Sequence, residues 1–67
     1  MGKFFIKSNQ IENNKIKIIG DDVNHIKNVL RLKVDDDIKV CNSENSKNFI
    51  CTISNINSNE VECTILK

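Results

Sequence analysis

GDDVNHIKNVLRLKV, residues 20–34, is the only stretch of the chain with clear helical periodicity, and it holds the only histidine and the only arginine. Four apolar residues fall at spacings of three and four and form one stripe: Val23, Ile26, Val29 and Leu30. Asn24, Lys27, Asn28 and Arg31 point away from this stripe, and His25 lies on its border. Asp21 or Asp22 can cap the first turn, so the stretch predicts one short helix.

The sequence on both sides of this helix alternates apolar and polar residues, which is typical of strands. The predicted strands are Lys3–Lys7, Lys15–Ile19, Ile38–Cys41, Phe49–Ile53 and Glu60–Ile65. The order is β-β-α-β-β-β, with a polar loop between the first two strands. An antiparallel sheet that curls into a small barrel, with the helix closing one end, buries the apolar faces best. The fold class is therefore mostly β.

Length and charge limit the function classes that need to be considered. Sixty-seven residues with 39% hydrophobic content make one small domain without a large ligand cavity. The net charge is +1, so any site for a polyanion has to come from local clustering. The sequence contains neither a secretory signal nor an apolar run long enough to span a membrane, which predicts a cytoplasmic protein.

The three cysteines, Cys41, Cys51 and Cys63, have no CxxC spacing and only one histidine to join them, so a zinc site is not supported. Strand alternation places Cys51 and Cys63 inward and Cys41 outward, so no disulfide is expected. The acidic run 35–37 predicts a solvated turn rather than a cation site.

The sequence contains few of the residue patterns that an enzyme active site needs. The single histidine has no fixed partner, and two glycines cannot form a glycine-rich phosphate loop. The core predicted from periodicity contains Phe5, Val23, Ile26, Val29, Leu30, Ile38, Phe49, Ile53 and Val61. With the three phenylalanines in core positions, stacking of bases on exposed aromatics is not expected.

A local cationic set remains on and around the helix. The predicted RNA-binding residues are Lys3, His25, Asn28, Arg31 and Lys33, with Lys27 and Asn24 nearby. Such donors can contact phosphates and loop bases. From the residues alone two alternatives stay open. The same helix face can be merely solvated, or it can serve a protein-interaction module that packs on a catalytic domain or a partner protomer.

The run HIKNVLRLKVDDDIKV (residues 25–40) after IIGDDVN (residues 18–24), preceded by KFFI (residues 3–6), resembles the opening domain of the ribosomal RNA small subunit methyltransferase E family. The resemblance implies that residues 1–67 are a PUA-like RNA-binding barrel. It also implies a partner, small-subunit ribosomal RNA, and a homodimeric full-length enzyme that methylates N3 of a uridine. S-adenosylmethionine and the catalytic residues would belong to a knotted SPOUT domain that is absent here. No catalytic, cofactor or metal residue is therefore assigned to this chain, which is expected to be non-catalytic alone.

Two positions depart from the family pattern. Asp35 stands where the family usually has glycine, and residues 42–47 lack the usual Asp-Gly-x-Gly hairpin. Asparagine and aspartate tolerate a left-handed backbone better than other non-glycine residues. Both turns are therefore expected to form. The chain ends directly after the last predicted strand, as it would at a cut or a domain edge.

Overall fold

Six strands and one short helical segment make up the fold in the computed structural model, which describes residues 3–67. The strands are β1 (Lys3–Ile6), β2 (Ile11–Glu12), β3 (Lys15–Ile19), β4 (Asp37–Asn42), β5 (Asn48–Ile56) and β6 (Glu60–Ile65). A 3₁₀ turn, Ser8–Gln10, precedes β2, and helix α1 (Asp21–Asn24) continues into a π-helical turn, His25–Val29. No helix within residues 3–67 is long and apolar enough to cross a membrane.

The strands form one sheet in the order β1-β4-β5-β6-β3-β2, which curls into a partial barrel. This confirms the predicted fold class. One pair differs from the antiparallel prediction, because β1 lies parallel to β4 while the other four pairings are antiparallel. The parallel pair requires a long crossover, and the chain from 7 to 36, including β3 and the helix, provides it.

The segment expected to be a loop before β3 contains the additional strand β2. Glu12 pairs with Lys15, so the hairpin between them has the two-residue loop Asn13-Asn14. Both asparagines have positive φ, 51° and 66°. A tight hairpin loop with two left-handed residues is a type I′ turn, for which asparagine is well suited. The Asn-Asn pair was therefore a usable hairpin signal in the sequence.

One face of the sheet carries the core. Its buried members are Phe4, Ile6, Ile16, Ile18, Val23, Ile26, Ile38, Val40, Cys51, Ile53, Val61 and Cys63, and Phe49 is partly buried against them. The prediction is confirmed for Val23, Ile26, Ile38, Ile53 and Val61. It was wrong for Phe5, which is 61% exposed, whereas Phe4 is 4% exposed. Phe4 and Ile6 share one strand face, so alternation buries the pair and turns Phe5 outward.

The end of the helix also differs from the prediction. Val29 is 61% exposed and Leu30 is 37% exposed, so neither belongs to the core as expected. The cause is the change from α to π geometry, in which the N–H of Leu30 donates to the carbonyl of His25, five residues earlier, at 2.8 Å. A wider turn rotates the following side chains out of the α-helical phase. The apolar stripe therefore ends at Ile26.

The three cysteines are free thiols. Cys51 and Cys63 point into the core, as predicted, and burial raises their pKa values to about 11 and about 12. Cys41 lies outside the core cluster and alternates with Val40, which agrees with the predicted face. It is nevertheless buried, because Phe5 stands beside it in the β1–β4 register.

Both turns that lack the family's glycines are present. Asp35 has a φ of 81°, so an aspartate takes the left-handed position expected of glycine. In the β4–β5 hairpin it is Ser46 that has the positive φ, 61°. Buried Asn42 anchors this hairpin, since its Oδ1 accepts the Glu44 N–H at 2.9 Å and its Nδ2 donates to Ser8 Oγ at 2.9 Å. Side-chain hydrogen bonds thus stabilise a hairpin in which a serine takes the left-handed position that glycine usually occupies.

Candidate nucleic-acid interface

The predicted site residues lie at one end of the sheet, which we call the helix end. The registers place the finish of β3 and β5 and the start of β1, β4 and β6 at this end. The chain from 20 to 36 and the β5–β6 turn cross it. Lys27 Nζ donates to the carbonyl of Asn57 at 3.4 Å and joins these two segments.

His25 connects the helix to the first strand. Its ring meets the ring of Phe4 at a centroid distance of 6.2 Å and an interplanar angle of 69°, which is an edge-to-face contact. Phe4 is buried, whereas His25 is exposed at the surface. The imidazole therefore rests on the core while its polar atoms stay accessible to a ligand.

Arg31 occupies a special backbone position. It is exposed and has a φ of 54°, directly after Leu30, which ends the helix. The N–H of Leu32 donates to the carbonyl of Ile26 at 2.9 Å and closes the helix across Arg31. Glycine is the usual residue at such a left-handed helix end. The reversal returns Leu32 to the core and leaves the arginine side chain in solvent.

Asn28 lines a polar cleft between the helix and the β5–β6 turn. The cleft has a volume of about 450 Å³ and is lined by Gly20, Val23, Asn24, Lys27, Asn28, Ser58 and Asn59. Asn28 Nδ2 donates to Asn24 Oδ1 at 2.6 Å, which fixes the orientation of both amides. The contribution of Ser58 and Asn59 was missed by sequence reasoning, although the Asn/Ser-rich turn at 57–59 indicated an exposed polar loop.

Lys33 and Lys3 lie at the same end but on different elements. Lys33 is in the turn before β4, where its backbone N–H donates to Asp36 Oδ2 at 2.8 Å and its side chain is exposed. Lys3 begins β1 and is exposed on the face opposite to Phe4. His25, Asn28, Arg31 and Lys33 therefore share one segment, whereas Lys3 faces the outer side of the sheet and pairs with Lys39.

The electrostatics of the helix end are mixed. Beside the cations, the same end carries the carboxylates of Asp21, Asp22, Asp35, Asp36 and Asp37. A ligand would therefore be held by directed contacts rather than by a general positive field. Among residues 3–67 no group of three or more His, Cys, Asp or Glu side chains is arranged to hold a metal ion.

A curled six-stranded sheet with one end covered by a short helix is the architecture of a small PUA-like β-barrel. The family model described as the RNA methyltransferase PUA domain matches residues 18–66. The chain therefore belongs to this family, which confirms the resemblance read from its sequence.

Two solved structures share the fold. A crystal structure of a hypothetical protein has a TM-score of 0.85 and 28% sequence identity, covering 98% of this chain and 28% of that one. The crystal structure of a predicted RNA methyltransferase from Thermotoga maritima has a TM-score of 0.82 and 20% identity, covering 97% of this chain. This chain spans 28% of the length of each. No curated protein matches it.

Proposed function

We propose that this PUA-like domain binds RNA through its helix end. The observation that carries the proposal is the family match over residues 18–66, which includes the exposed, left-handed Arg31 at the helix terminus. Because the closing Leu32–Ile26 hydrogen bond fixes the backbone there, the position from which the guanidinium extends is preorganised. A planar guanidinium offers paired donors to a phosphate or a base edge.

The neighbouring residues have distinct parts in this proposal. Lys33 and Lys3 supply point charges to phosphates, and His25 supplies a directed ring nitrogen. The oriented amides of Asn28 and Asn24 can bind a base edge in the polar cleft. With a net charge of +1, only about two to four phosphates are engaged, so the salt dependence is shallow.

At a finer level, the proposed ligand is small-subunit ribosomal RNA, on which the domain docks a uracil-N3 methyltransferase in the cytoplasm. S-adenosylmethionine and the catalytic residues would lie in a separate domain, and the full-length protein would be a homodimer. The resemblance of residues 3–6 and 18–40 supports this assignment.

The test is a binding titration of a small-subunit rRNA fragment at two salt concentrations, with wild type and Arg31→Ala. Loss of a paired contact should weaken binding by about 1–3 kcal/mol. Lys15→Ala is the matched control, since Lys15 is an exposed cation at the start of β3, at the opposite end of the sheet. Equal affinity of wild type and Arg31→Ala would contradict the proposed role of this face.

The rival function is a protein-interaction module. It is favoured by the apolar side chains exposed beside the site, namely Val29 (61%), Leu30 (37%) and Val34 (48%). In that case the helix end would pack on a catalytic domain or a second protomer without contacting RNA. A defined dimer with no RNA affinity, measured by sedimentation and by the same titration, would favour this function.

A further inference from the structure

The outer face of the β1–β4 edge carries an exposed aromatic ring among lysines. Phe5 is 61% exposed, and Lys3 and Lys39 lie on the same face of the two strands by alternation. Ile50 of β5 continues this face, since it is the register partner of Lys39. We call Lys3, Phe5, Lys39 and Ile50 the outer-face patch. None of these side chains contributes to the core cluster.

The charges of the patch indicate an anionic partner. Lys3 and Lys39 are direct register partners in the β1–β4 pair. Like charges opposite each other destabilise a sheet, and a bound anion relieves the repulsion. Asp37, the carboxylate on the same face of β4, is already engaged as the acceptor of a 2.7 Å hydrogen bond from Thr52 Oγ1. That hydroxyl is neutral, so Asp37 keeps its negative charge and offsets one of the two lysine charges, and the outer face of β1 and β4 retains a net positive charge.

The patch also has a suitable shape. A shallow recess of about 270 Å³ is lined by Lys3, Lys39, Asn48, Phe49 and Ile50. Phe5 follows Lys3 on the same strand face and borders Cys41, whose side chain is buried. Phe5 therefore projects from a hydrogen-bonded strand beside a buried residue. An aromatic platform beside a cationic recess is the arrangement that binds single-stranded nucleic acid.

We propose that the outer-face patch binds an unpaired stretch of RNA, with one base stacked on Phe5 and the flanking phosphates held by Lys3 and Lys39. This rests on the proposed function, RNA binding, and adds a second contact on a different face from the helix end. Stacking is sequence-tolerant, so this contact holds a strand without reading its sequence. The charge complementarity favours RNA over an apolar protein surface, which would leave this net positive charge without a partner.

The experiment measures binding of a fluorescein-labelled ten-nucleotide oligouridine to the chain by anisotropy. Phe5→Leu keeps an apolar side chain but loses the aromatic face, and Phe5→Tyr keeps it. Phe5→Leu should weaken binding about 5- to 100-fold, whereas Phe5→Tyr should stay within about twofold of wild type. Lys39→Ala should weaken binding and lower the salt slope by about one. Lys17→Ala, an exposed lysine on β3, is the control and should change neither.

The outcomes separate this inference from the proposed function. Equal oligouridine affinity of Phe5→Leu and wild type overturns the stacking contact. Binding of structured RNA that depends on Arg31, with no affinity for oligouridine, overturns the patch and leaves the helix-end function in place. Oligouridine binding that depends on Phe5 and Lys39, with no effect of Arg31→Ala on any RNA, supports the patch and contradicts the helix end. A dimer that dissociates in Phe5→Leu would make the patch an interface between copies and overturn the inference.

Discussion

The ring of His25 stands edge-to-face against the ring of Phe4, with 6.2 Å between their centroids. This contact joins the first residue of the π-helical turn to the edge strand of the sheet. Because Phe4 is a core residue, the position of the helix end is tied to the packing of the core. The candidate residues of the helix, His25 and Asn28, thus lie on a surface that the core supports.

We expect His25→Ala to lower the free energy of unfolding by about 1 kcal/mol, the typical worth of an aromatic pair beyond its burial. His25→Phe keeps the edge contact and should remain within about 0.5 kcal/mol of wild type. Urea denaturation measures both. A loss for His25→Ala no larger than that for Lys27→Ala would show that the pair does not hold the helix.

Two substitutions that shorten a side chain to alanine can test whether the core ends at Ile26. Ile26 is fully buried, so Ile26→Ala should cost about 2–5 kcal/mol. Leu30 is 37% exposed, and Leu30→Ala should cost about 1 kcal/mol or less. Denaturant melts of the two variants give the comparison. Similar losses would mean that the helix keeps its α-helical phase through Leu30.

Arg31→Gly should separate stability from binding. A non-glycine residue in the left-handed region is strained by roughly 1 kcal/mol, so glycine should raise the free energy of unfolding by about 0.5–1 kcal/mol. The same change removes the guanidinium and should weaken RNA binding as much as Arg31→Ala does. A thermal melt and a titration on one preparation measure both effects. Lower stability of Arg31→Gly would contradict the left-handed assignment.

The buried thiols predict a loss of stability in alkali. The pKa of Cys51 is raised to about 11 and that of Cys63 to about 12 because burial disfavours the thiolate. Above about pH 8.5 the unfolded thiols lose protons that the folded thiols keep, so the unfolded state gains stability. The stabilisation is complete below that pH and should fall by about 1 kcal/mol for each thiol, about 2–3 kcal/mol in total, by pH 9.5. Urea melts from pH 7.5 to 9.5 measure it, and the double variant Cys51→Ala, Cys63→Ala should show a smaller slope.

Much of the fold was predictable because the spacing of apolar residues, every second residue in a strand and every third or fourth in a helix, indicates which side chains are buried. Ile38, Ile53 and Val61 were assigned correctly from alternation. Phe5 was misassigned although Phe4 and Ile6 outnumber it on the other strand face. A count of the apolar residues on each face of this strand would have identified Phe5 as exposed. The outer-face patch could then have been predicted as well.

Other features had no local signal. The sequence carries no recognised signal for the change from α to π geometry, so the loss of the α-helical phase after Ile26 could not be predicted. The parallel pairing of β1 with β4 depends on contacts across more than 30 residues. The candidate site was predicted from the sequence as Lys3 with the segment His25 to Lys33, whereas the contact of the helix with the turn at Asn57 required the tertiary structure.

The most direct test of the RNA-binding helix end is chemical-shift mapping of the ¹⁵N-labelled chain during titration with a small-subunit rRNA fragment. We predict the largest shifts at the amides of His25, Asn28, Arg31 and Lys33, with further shifts at Asn57 to Asn59. The β2–β3 hairpin, residues 12–15, lies at the opposite end of the sheet and should stay unchanged. Shifts confined to that hairpin, or no shifts at saturating RNA, would contradict RNA binding by the helix end.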